Sequence, residues 1–377
     1  MKKTLALLLA VMLLTLCGCS GDQPETQPAT APVATTTTPE PQATEPETQP
    51  ATEDPTQPAT EAPTEPKTYT NPLNGETLDA PFTNRIFAVS INNRKECLPH
   101  VGIVQADIYM EMFVNGSLVR GLALYSDLES VESVGSVRST RMIFNDLASR
   151  FDAYLVHAGG SNPVMQNVRA LSLGHINIDT NDSTDYSFRH TGRKAAGYDW
   201  EDILFVKGAG MVQHARDNGV TLSMTPDRNY GFHFTQDGTP AEGEDANVID
   251  IHFTLNGGGS KTSTLEYNAD QGGYNYYQYD QLMVDGHTGE VEVYENVMVL
   301  MVQTHMDPDG YHIAEFTNSG SGQGYFACGG KLIPILWHCA GEDAPLTYTT
   351  LDGQPLLLGQ GRTYIGICGL KSTVDYK

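Results

Sequence analysis

The stretch Ala106-Asp-Ile-Tyr-Met-Glu-Met-Phe113 decides the fold class of this chain. Its nearly continuous apolar character over eight residues is typical of a buried strand, and residues 119–125 (VRGLALY) predict a second one. Residues 86–91 (IFAVSI) and 153–157 (AYLVH) have the same character. The sequence therefore predicts four strands in its first globular part.

Helices are expected between and after these strands. Residues 141–151 place their apolar side chains at helical spacing, and we interpret residues 162–171 and 200–218 as further helices. Strands that alternate with helices are typical of α/β domains. We therefore predict an α/β domain over residues 69–240.

The C-terminal part of the chain has a different pattern. From residue 246 onward, Tyr, Thr and Val occur in short runs that Gly and Asp turns separate, such as VIDIHFT at 248–254 and TYIGIC at 363–368. Short, regularly spaced strands indicate a mostly antiparallel β domain, which we place at residues 241–377. Residues 234–244 are the predicted linker between the domains.

The N-terminus predicts a lipid anchor and a spacer. Two lysines and an apolar run at 5–16 precede Leu16-Cys-Gly-Cys19, which matches a lipoprotein signal peptide of residues 1–18; an ordinary secretory signal is the alternative. Cys19 would then carry the lipid, including palmitate, and hold the protein on the extracytoplasmic face of the cell membrane. Residues 19–68, rich in Thr, Pro and Glu, predict a disordered spacer.

Charge and cysteine content restrict the possible partners. The formal net charge of −24 disfavours nucleic acid as a partner. Four cysteines lie beyond the signal region, and export favours a disulfide among the last three, although all four could remain thiols. No zinc-ribbon spacing and no HExxH motif occurs, so we predict no metal site and no cofactor. The four cysteines are Cys97, Cys328, Cys339 and Cys368.

Two neighbouring stretches form the candidate site. Gly135-Ser-Val-Arg-Ser-Thr-Arg141 places Arg138 and Arg141 three residues apart where a loop enters a helix. Both guanidinium groups could face one anion there, together with the free N–H groups of the helix start. The strand that ends at His157 continues into Ala-Gly-Gly-Ser161, which puts an imidazole and a hydroxyl at a strand tip. With Arg120, these residues predict a pocket for a phosphate or carboxylate.

Structural roles for the same residues stay open. The arginines could form ion pairs with Asp146, Asp152 or Glu111. His157 could be a structural histidine whose ring nitrogens form hydrogen bonds under a tight turn. A second basic cluster could either reinforce the anion pocket or lie on a solvated loop. It consists of Arg189, Arg193 and Lys194.

Several short motifs run from Asn71 nearly to the C-terminus. They are Asn71-Pro-Leu-Asn-Gly75, Ile91-Asn-Asn93, residues 105–111, Arg120, residues 135–141, residues 157–161, Tyr279-Asp280, Glu295-Asn-Val297, residues 320–324, residues 330–337 and Gly359-Gln-Gly-Arg-Thr-Tyr364. In these motifs the chain resembles the YerB-like family of lipoproteins, whose two domains have no assigned function. The resemblance implies the lipid anchor and the two-domain fold.

One segment departs from that family. Relatives carry an Arg-Lys-Ala-Pro-His-Asn type segment where this chain has Arg193-Lys-Ala-Ala-Gly197-Tyr. If the missing histidine acts in the relatives, the resemblance implies a changed activity here.

Three functional interpretations follow. The leading one is a non-enzymatic envelope protein that binds an anionic envelope component, such as a cell-wall polymer or anionic glycan, or a partner protein. The second is an enzyme acting on wall polymers or lipid-linked sugars, with Glu111 or His157 as general base. The third is a lipid-anchored scaffold without a small ligand.

Overall fold

The computed structural model describes residues 68–377, apart from 116–117, 181–183, 255–258, 307–311, 315–319 and 342–343. The predicted signal peptide, the lipid-bearing Cys19 and the spacer lie outside the described residues. Those predictions therefore stay predictions.

The N-terminal half, which we take as residues 68–240, contains eleven strands and four α-helices within its described part. Its strands are β1 (Tyr69–Thr70), β2 (Thr77–Leu78), β3 (Phe87–Asn92), β4 (Ile108–Asn115), β5 (Leu118–Tyr125), β6 (Val134–Gly135), β7 (Tyr154–His157), β8 (His175–Asn177), β9 (Ser187–Arg189), β10 (Leu204–Val206) and β11 (His233–Thr235). Its helices are α1 (Met142–Arg150), α2 (Asn162–Ala170), α3 (Thr191–Ala195) and α4 (Gly208–Asp217).

The C-terminal half, residues 241–377, consists of strands and turns in its described part. The strands are β12 (Glu244–Asp245), β13 (Val248–Thr254), β14 (Ser260–Asn268), β15 (Gly273–Gln278), β16 (Gln281–Leu282), β17 (Val293–Tyr294), β18 (Asn296–Val302), β19 (Thr304–Met306), β20 (His312–Ala314), β21 (Gly320–Cys328), β22 (Lys331–Cys339), β23 (Leu346–Thr350), β24 (Leu357–Gly359), β25 (Thr363–Gly369) and β26 (Thr373–Tyr376).

One large sheet contains strands from both halves. Its order is β12-β22-β21-β18-β25-β4-β5-β3-β7-β8, with β23 added beside β22. The two halves meet where β25 pairs in parallel with β4, so that Thr363 lies opposite Ile108 and Ile367 opposite Met112. The backbone hydrogen bonds of the sheet therefore run without interruption from one half into the other.

A second sheet covers one face of the large sheet. Its order is β16-β15-β14-β13-β26, with β17 beside β15. Along β13 the side chains alternate, and Ile249, Ile251 and Phe253 are buried in the same core as Tyr109 and Phe113 of β4. The rings of Phe113 and Phe253 lie 6.0 Å apart at nearly right angles. The two sheets thus pack face to face as a sandwich.

Helix α1 covers the opposite face of the large sheet. Its residues Ile143, Phe144 and Leu147 share one side of the helix because they recur at spacings of three and four. They pack in one core with Ile108 and Met110, whose side chains point away from the second sheet because side chains alternate along a strand. The large sheet therefore has an all-β layer on one side and helices on the other.

The structure corrects two predictions. The described chain is mostly β, so the α/β description fits the N-terminal half only in part, while the antiparallel C-terminal sheet is confirmed. The predicted helix over 200–218 is wrong in its first half, because residues 204–206 are fully buried as β10 and only Gly208–Asp217 is helical. The two ends of the predicted linker lie in strands, since β11 pairs with β24 and β12 with β22, and residues 236–243 connect them.

A buried carboxylate joins the two sheets. Glu111 of β4 is fully buried, and its Oε1 accepts hydrogen bonds from the side chains of Asn93 (2.6 Å) and Lys261. Its Oε2 accepts from Ser263 (2.7 Å) and Tyr364 (2.6 Å). Tyr276 adds a fifth donor at 3.0 Å.

These five donors explain why a charge is stable in this core. Burial acts to raise the pKa of Glu111, but the Lys261 charge and the hydrogen bonds outweigh it and hold that pKa below its usual value. An ion pair with satisfied hydrogen bonds persists in a core, whereas one of its charges alone is strongly destabilising. Lys261 comes from β14 and Glu111 from β4, so the pair fixes how one sheet sits on the other.

Replacing Glu111 by Gln is expected to lower the free energy of unfolding by about 3–5 kcal/mol, because it leaves the Lys261 ammonium buried without a counter-charge. Urea unfolding of the whole chain measures this. Glu129→Gln is the control, since Glu129 is half exposed and its pair with Arg216 spans 3.5 Å, so a change under about 0.5 kcal/mol is expected. The double variant Glu111→Gln with Lys261→Met should recover much of the loss. Equal stability of Glu111→Gln and the native chain would contradict this role.

Candidate functional site

Backbone hydrogen bonds hold the arginine loop, residues 137–141, between β3 and the end of β7. The N–H of Arg138 donates to Ser90 O at 2.9 Å, and the N–H of Thr140 donates to Gly159 O at 3.0 Å. Helix α1 begins directly after this loop, and helix α2 begins directly after residues 158–161. The loops that precede α1 and α2 are therefore hydrogen-bonded to each other. The sequence had suggested a helix start beside the arginines only for α1.

Two arginines converge on the carbonyl oxygen of Ser139. Arg120, from β5, donates to this oxygen at 2.5 Å, and Arg141 donates to it at 3.4 Å. Arg141 also donates to Thr140 O at 2.7 Å. Both side chains are nearly buried, with residue exposures of 5% for Arg120 and 6% for Arg141. Two positive charges from distant parts of the sequence thus share one site.

Arg138 lies at the outer side of the same loop. Its Nη1 forms an ion pair of 2.5 Å with Glu201, whose side chain is 65% exposed. Its Nε is buried and, among the described residues, has no hydrogen-bond partner. Because an exposed ion pair contributes little, a ligand anion could displace Glu201 at modest cost.

The carboxylates that the sequence offered as structural partners are bound to other cations. Asp146 pairs with Arg150 at 3.0 Å, and Asp152 pairs with Arg85 at 3.1 Å. Glu111 pairs with Lys261. Each of these three carboxylates therefore has a cationic partner outside the arginine loop.

His157 is a buried, neutral histidine that positions the arginine loop. Its Nδ1–H donates to Gly159 O at 2.8 Å, and its Nε2 is 3.0 Å from Nδ1 of His175. Burial lowers the pKa of His157 to about 4, and its neutral Nε2 can accept from His175. Gly159 O also accepts from Thr140, so the ring supports the loop. His157 therefore brings no positive charge to an anion.

Ser161 is the residue that precedes α2. Its side chain does not cap the helix, and its Oγ is buried without a hydrogen-bond partner among the described residues. A serine at this position commonly accepts from the N–H groups of the first turn. The backbone N–H groups in the first turn of α2 therefore do not donate to the Ser161 side chain.

The second basic cluster divides into separate roles. Arg193 is nearly buried, and it donates to Cys97 O at 2.7 Å and to Pro99 O. Arg189 pairs with Asp179 at 3.1 Å, and Lys194 is exposed. Arg193 therefore serves the fold, whereas Arg189 and Lys194 face the surface.

Glu111 is unsuited to the general-base role considered for an enzyme. Its oxygens already accept from five donors, and its side chain has no exposed surface. A general base must reach the proton that it removes, directly or through one water. The sequence missed the Lys261 partner because the two residues are 150 positions apart in the chain.

The cysteines are four separate buried thiols. None of Cys97, Cys328, Cys339 and Cys368 forms a disulfide in this structure, so the expected pair among the last three is absent here. Burial raises the pKa of Cys97 to about 12 and that of Cys328 to about 11. The thiols of Cys97 and Cys328 therefore stay protonated at neutral pH.

A sizeable polar cavity lies away from the arginine loop. It has a volume of about 550 Å³ and is lined by Asn71, Asn74, Asp107 and Arg362, among others. Asn71 and Asn74 both donate to Asp107, and Arg362 donates to three backbone carbonyls. Asn71, Asn74, Asp107 and Arg362 are therefore engaged in hydrogen bonds within the protein. We therefore assign the candidate site to the arginines.

The buried neutral state of His157 predicts a pH dependence of stability. Its folded pKa lies below the ordinary 6.5, so the unfolded chain binds a proton more readily between pH 6.5 and 4. The contribution of His157 to the free energy of unfolding has its full value above pH 6.5. It falls by up to about 3 kcal/mol as the pH drops to 4. The stability difference between the native chain and His157→Gln, measured by urea unfolding, should shrink over this range. His233→Gln replaces an exposed histidine as the control, and a pH-independent difference for His157→Gln would contradict the assignment.

Comparisons with known proteins agree with the motifs. Residues 73–220 match the "Protein of unknown function (DUF3048) N-terminal domain", and residues 250–365 match the corresponding C-terminal domain. The "Putative lipoprotein YerB" of Bacillus subtilis is 27% identical over 302 residues, which cover 78% of this chain and 85% of that protein. The crystal structure of the YerB protein from Bacillus subtilis superposes with a TM-score of 0.68 at 22% identity, over 81% of this chain and 99% of the other.

The described helices of this chain are all too short or too polar to cross a bilayer. The matched domains, the relative and the superposed fold agree with one another. The chain contains both DUF3048 domains and belongs to the YerB-like family.

Proposed function

We propose that this protein is a lipid-anchored envelope protein that binds an anionic group, a phosphate or a carboxylate, at the arginine site. The arginine site comprises Arg120, Arg138, Arg141 and the first turns of α1 and α2. One observation carries the proposal: guanidinium groups from β5 and from the arginine loop meet at the Ser139 carbonyl oxygen.

The electrostatics of the site favour an anion. Arg120 and Arg141 bring two guanidinium groups to one carbonyl oxygen, and Arg138 lies on the same loop, in a chain whose formal net charge is −24. The N–H groups at the starts of α1 and α2 add partial positive charge on the same side. Because Arg120 and Arg141 are nearly buried, an anion beside them is screened less by salt than one on an open surface.

The proposed anchor is consistent with the family. The Bacillus subtilis relative bears the name of a lipoprotein, and this chain has the Leu16-Cys-Gly-Cys19 signature. A lipid on Cys19 would place the arginine site outside the cell, at the end of the spacer. Its ligand would then be an anionic envelope component or a partner protein with an acidic surface.

Inorganic phosphate titrated calorimetrically into the chain that lacks residues 1–18 tests the proposal. Arg138→Ala with Arg141→Ala should weaken phosphate binding roughly a hundredfold, because two charge-assisted hydrogen bonds together contribute about 3 kcal/mol. The matched control is Arg216→Ala with Lys331→Ala, which removes two positive charges from exposed ion pairs elsewhere and should leave binding unchanged.

Circular dichroism checks that the double variant remains folded. Since Arg141 also holds the loop backbone, Arg138→Gln alone provides a milder variant, which we expect to bind phosphate about tenfold more weakly. Phosphate affinity that is the same in the native chain and in both variants would refute the arginine site.

A further inference from the structure

Arg138, Trp200 and Arg189 lie at or near one end of the small antiparallel sheet β6-β10-β9. Arg138 follows β6, the turn Trp200–Asp202 precedes β10, and Arg189 ends β9. In the antiparallel pairing, Val137 N–H donates to Leu204 O at 2.8 Å, and Arg189 lies opposite Leu204. The three strands therefore place Trp200 beside the arginine loop.

Trp200 is exposed where a large aromatic residue would ordinarily be buried. Its exposed fraction is 57%, and it is the only aromatic residue among the large apolar side chains that are more than half exposed in the described part. The Arg189 guanidinium lies 4.1 Å from its ring centroid, and Lys194 Nζ lies 5.3 Å from it. The neighbouring residue Glu201 pairs with Arg138 of the arginine site.

The position of Trp200 is held by the fold. Its carbonyl oxygen accepts from Arg189 at 2.8 Å, and the side chain of Asp202, two residues later, is fully buried. Asp202 accepts from Asn92 at 2.6 Å and from Arg94 at 2.5 Å. The indole is therefore displayed on an anchored turn, and a fixed ring loses little entropy when a ligand packs on it.

We propose that Trp200 forms a subsite for a sugar ring and that the ligand of the arginine site is a sugar phosphate or a phosphate-bearing glycan. The inference rests on the proposed anion site and names the class of its ligand. The C–H groups of a sugar ring carry partial positive charge and pack on the negative face of an indole. The phosphate would lie at Arg138 and its neighbours, and the sugar would pack on the part of the indole that Arg189 and Lys194 leave uncovered.

A lipid surface fits this patch less well. Membrane-surface binding needs a broad apolar face together with basic residues, whereas this edge offers one indole. We therefore favour a soluble or polymeric sugar phosphate.

Calorimetry with two probes, N-acetylglucosamine 1-phosphate and inorganic phosphate, separates the two sites. The native chain should bind the sugar phosphate roughly tenfold more tightly than phosphate, which corresponds to about 1.4 kcal/mol. Trp200→Ala should abolish that preference and leave phosphate affinity unchanged, while Trp200→Phe should retain part of it. Leu370→Ala is the control, because it removes another exposed apolar side chain and should change neither affinity.

The outcomes distinguish the inference from the proposed function. A sugar-phosphate preference that persists in Trp200→Ala, or phosphate binding without any preference in the native chain, would overturn the Trp200 subsite and leave the anion site intact. Failure of the native chain to bind either probe would overturn both. Trp200-dependent sedimentation with anionic phospholipid vesicles, without a sugar-phosphate preference, would overturn the sugar assignment in favour of a lipid surface.

Discussion

The carboxylate of Glu111 is the contact on which the arrangement of the two sheets depends. It lies on β4, the strand at which the N-terminal half joins β25 of the C-terminal half. Its partners Lys261 and Ser263 come from the second sheet, and Tyr364 comes from β25. A charged group in a dry core tolerates few positions, because each oxygen must keep its donors. The network therefore restricts the sheets to one relative placement.

The arginine site lies on the other face of the large sheet. Side chains alternate along a strand, so Arg120 on β5 points to the helical side, toward the Ser139 carbonyl at the start of α1. The neutral ring of His157 supports Gly159, and Gly159 in turn holds Thr140 of the loop. The β sandwich thus provides a rigid support, and the site forms where the loops before two helices meet over it.

Local sequence patterns predicted the strands and α1 well. Residues 108–113 and 119–125 lie in strands because their apolar character is a local property, and α1 follows from the spacing of its buried residues. The sharing of one sheet by both halves was not predictable in this way, because β4 and β25 are 255 positions apart and their pairing leaves no local pattern. Residues 203–206 were assigned to a helix for the same reason, since their pairing with β6 and β9 overrides the local pattern.

The site was predictable only in part. The paired arginines and the strand tip at His157 were visible as motifs, and the structure brings them together. The role of His157 was not visible, since it depends on the contact with His175. Asp152 and Glu111 pair with cations that are distant in the sequence, whereas the partner of Asp146, Arg150, is only four residues away on α1. The exposure of Trp200 was not predicted, because it lies in a single 3-10 turn that ends before β10 and not in the long α-helix that the sequence suggested.

Crystals of residues 65–377, the compact unit of the chain, soaked in inorganic phosphate test the central claim most directly. The account predicts a phosphate within hydrogen-bond distance of Arg138 and Arg141 near the starts of α1 and α2, with Glu201 displaced from Arg138. Arginines that keep their internal contacts at saturating phosphate, with no anion bound at the loop, would contradict it.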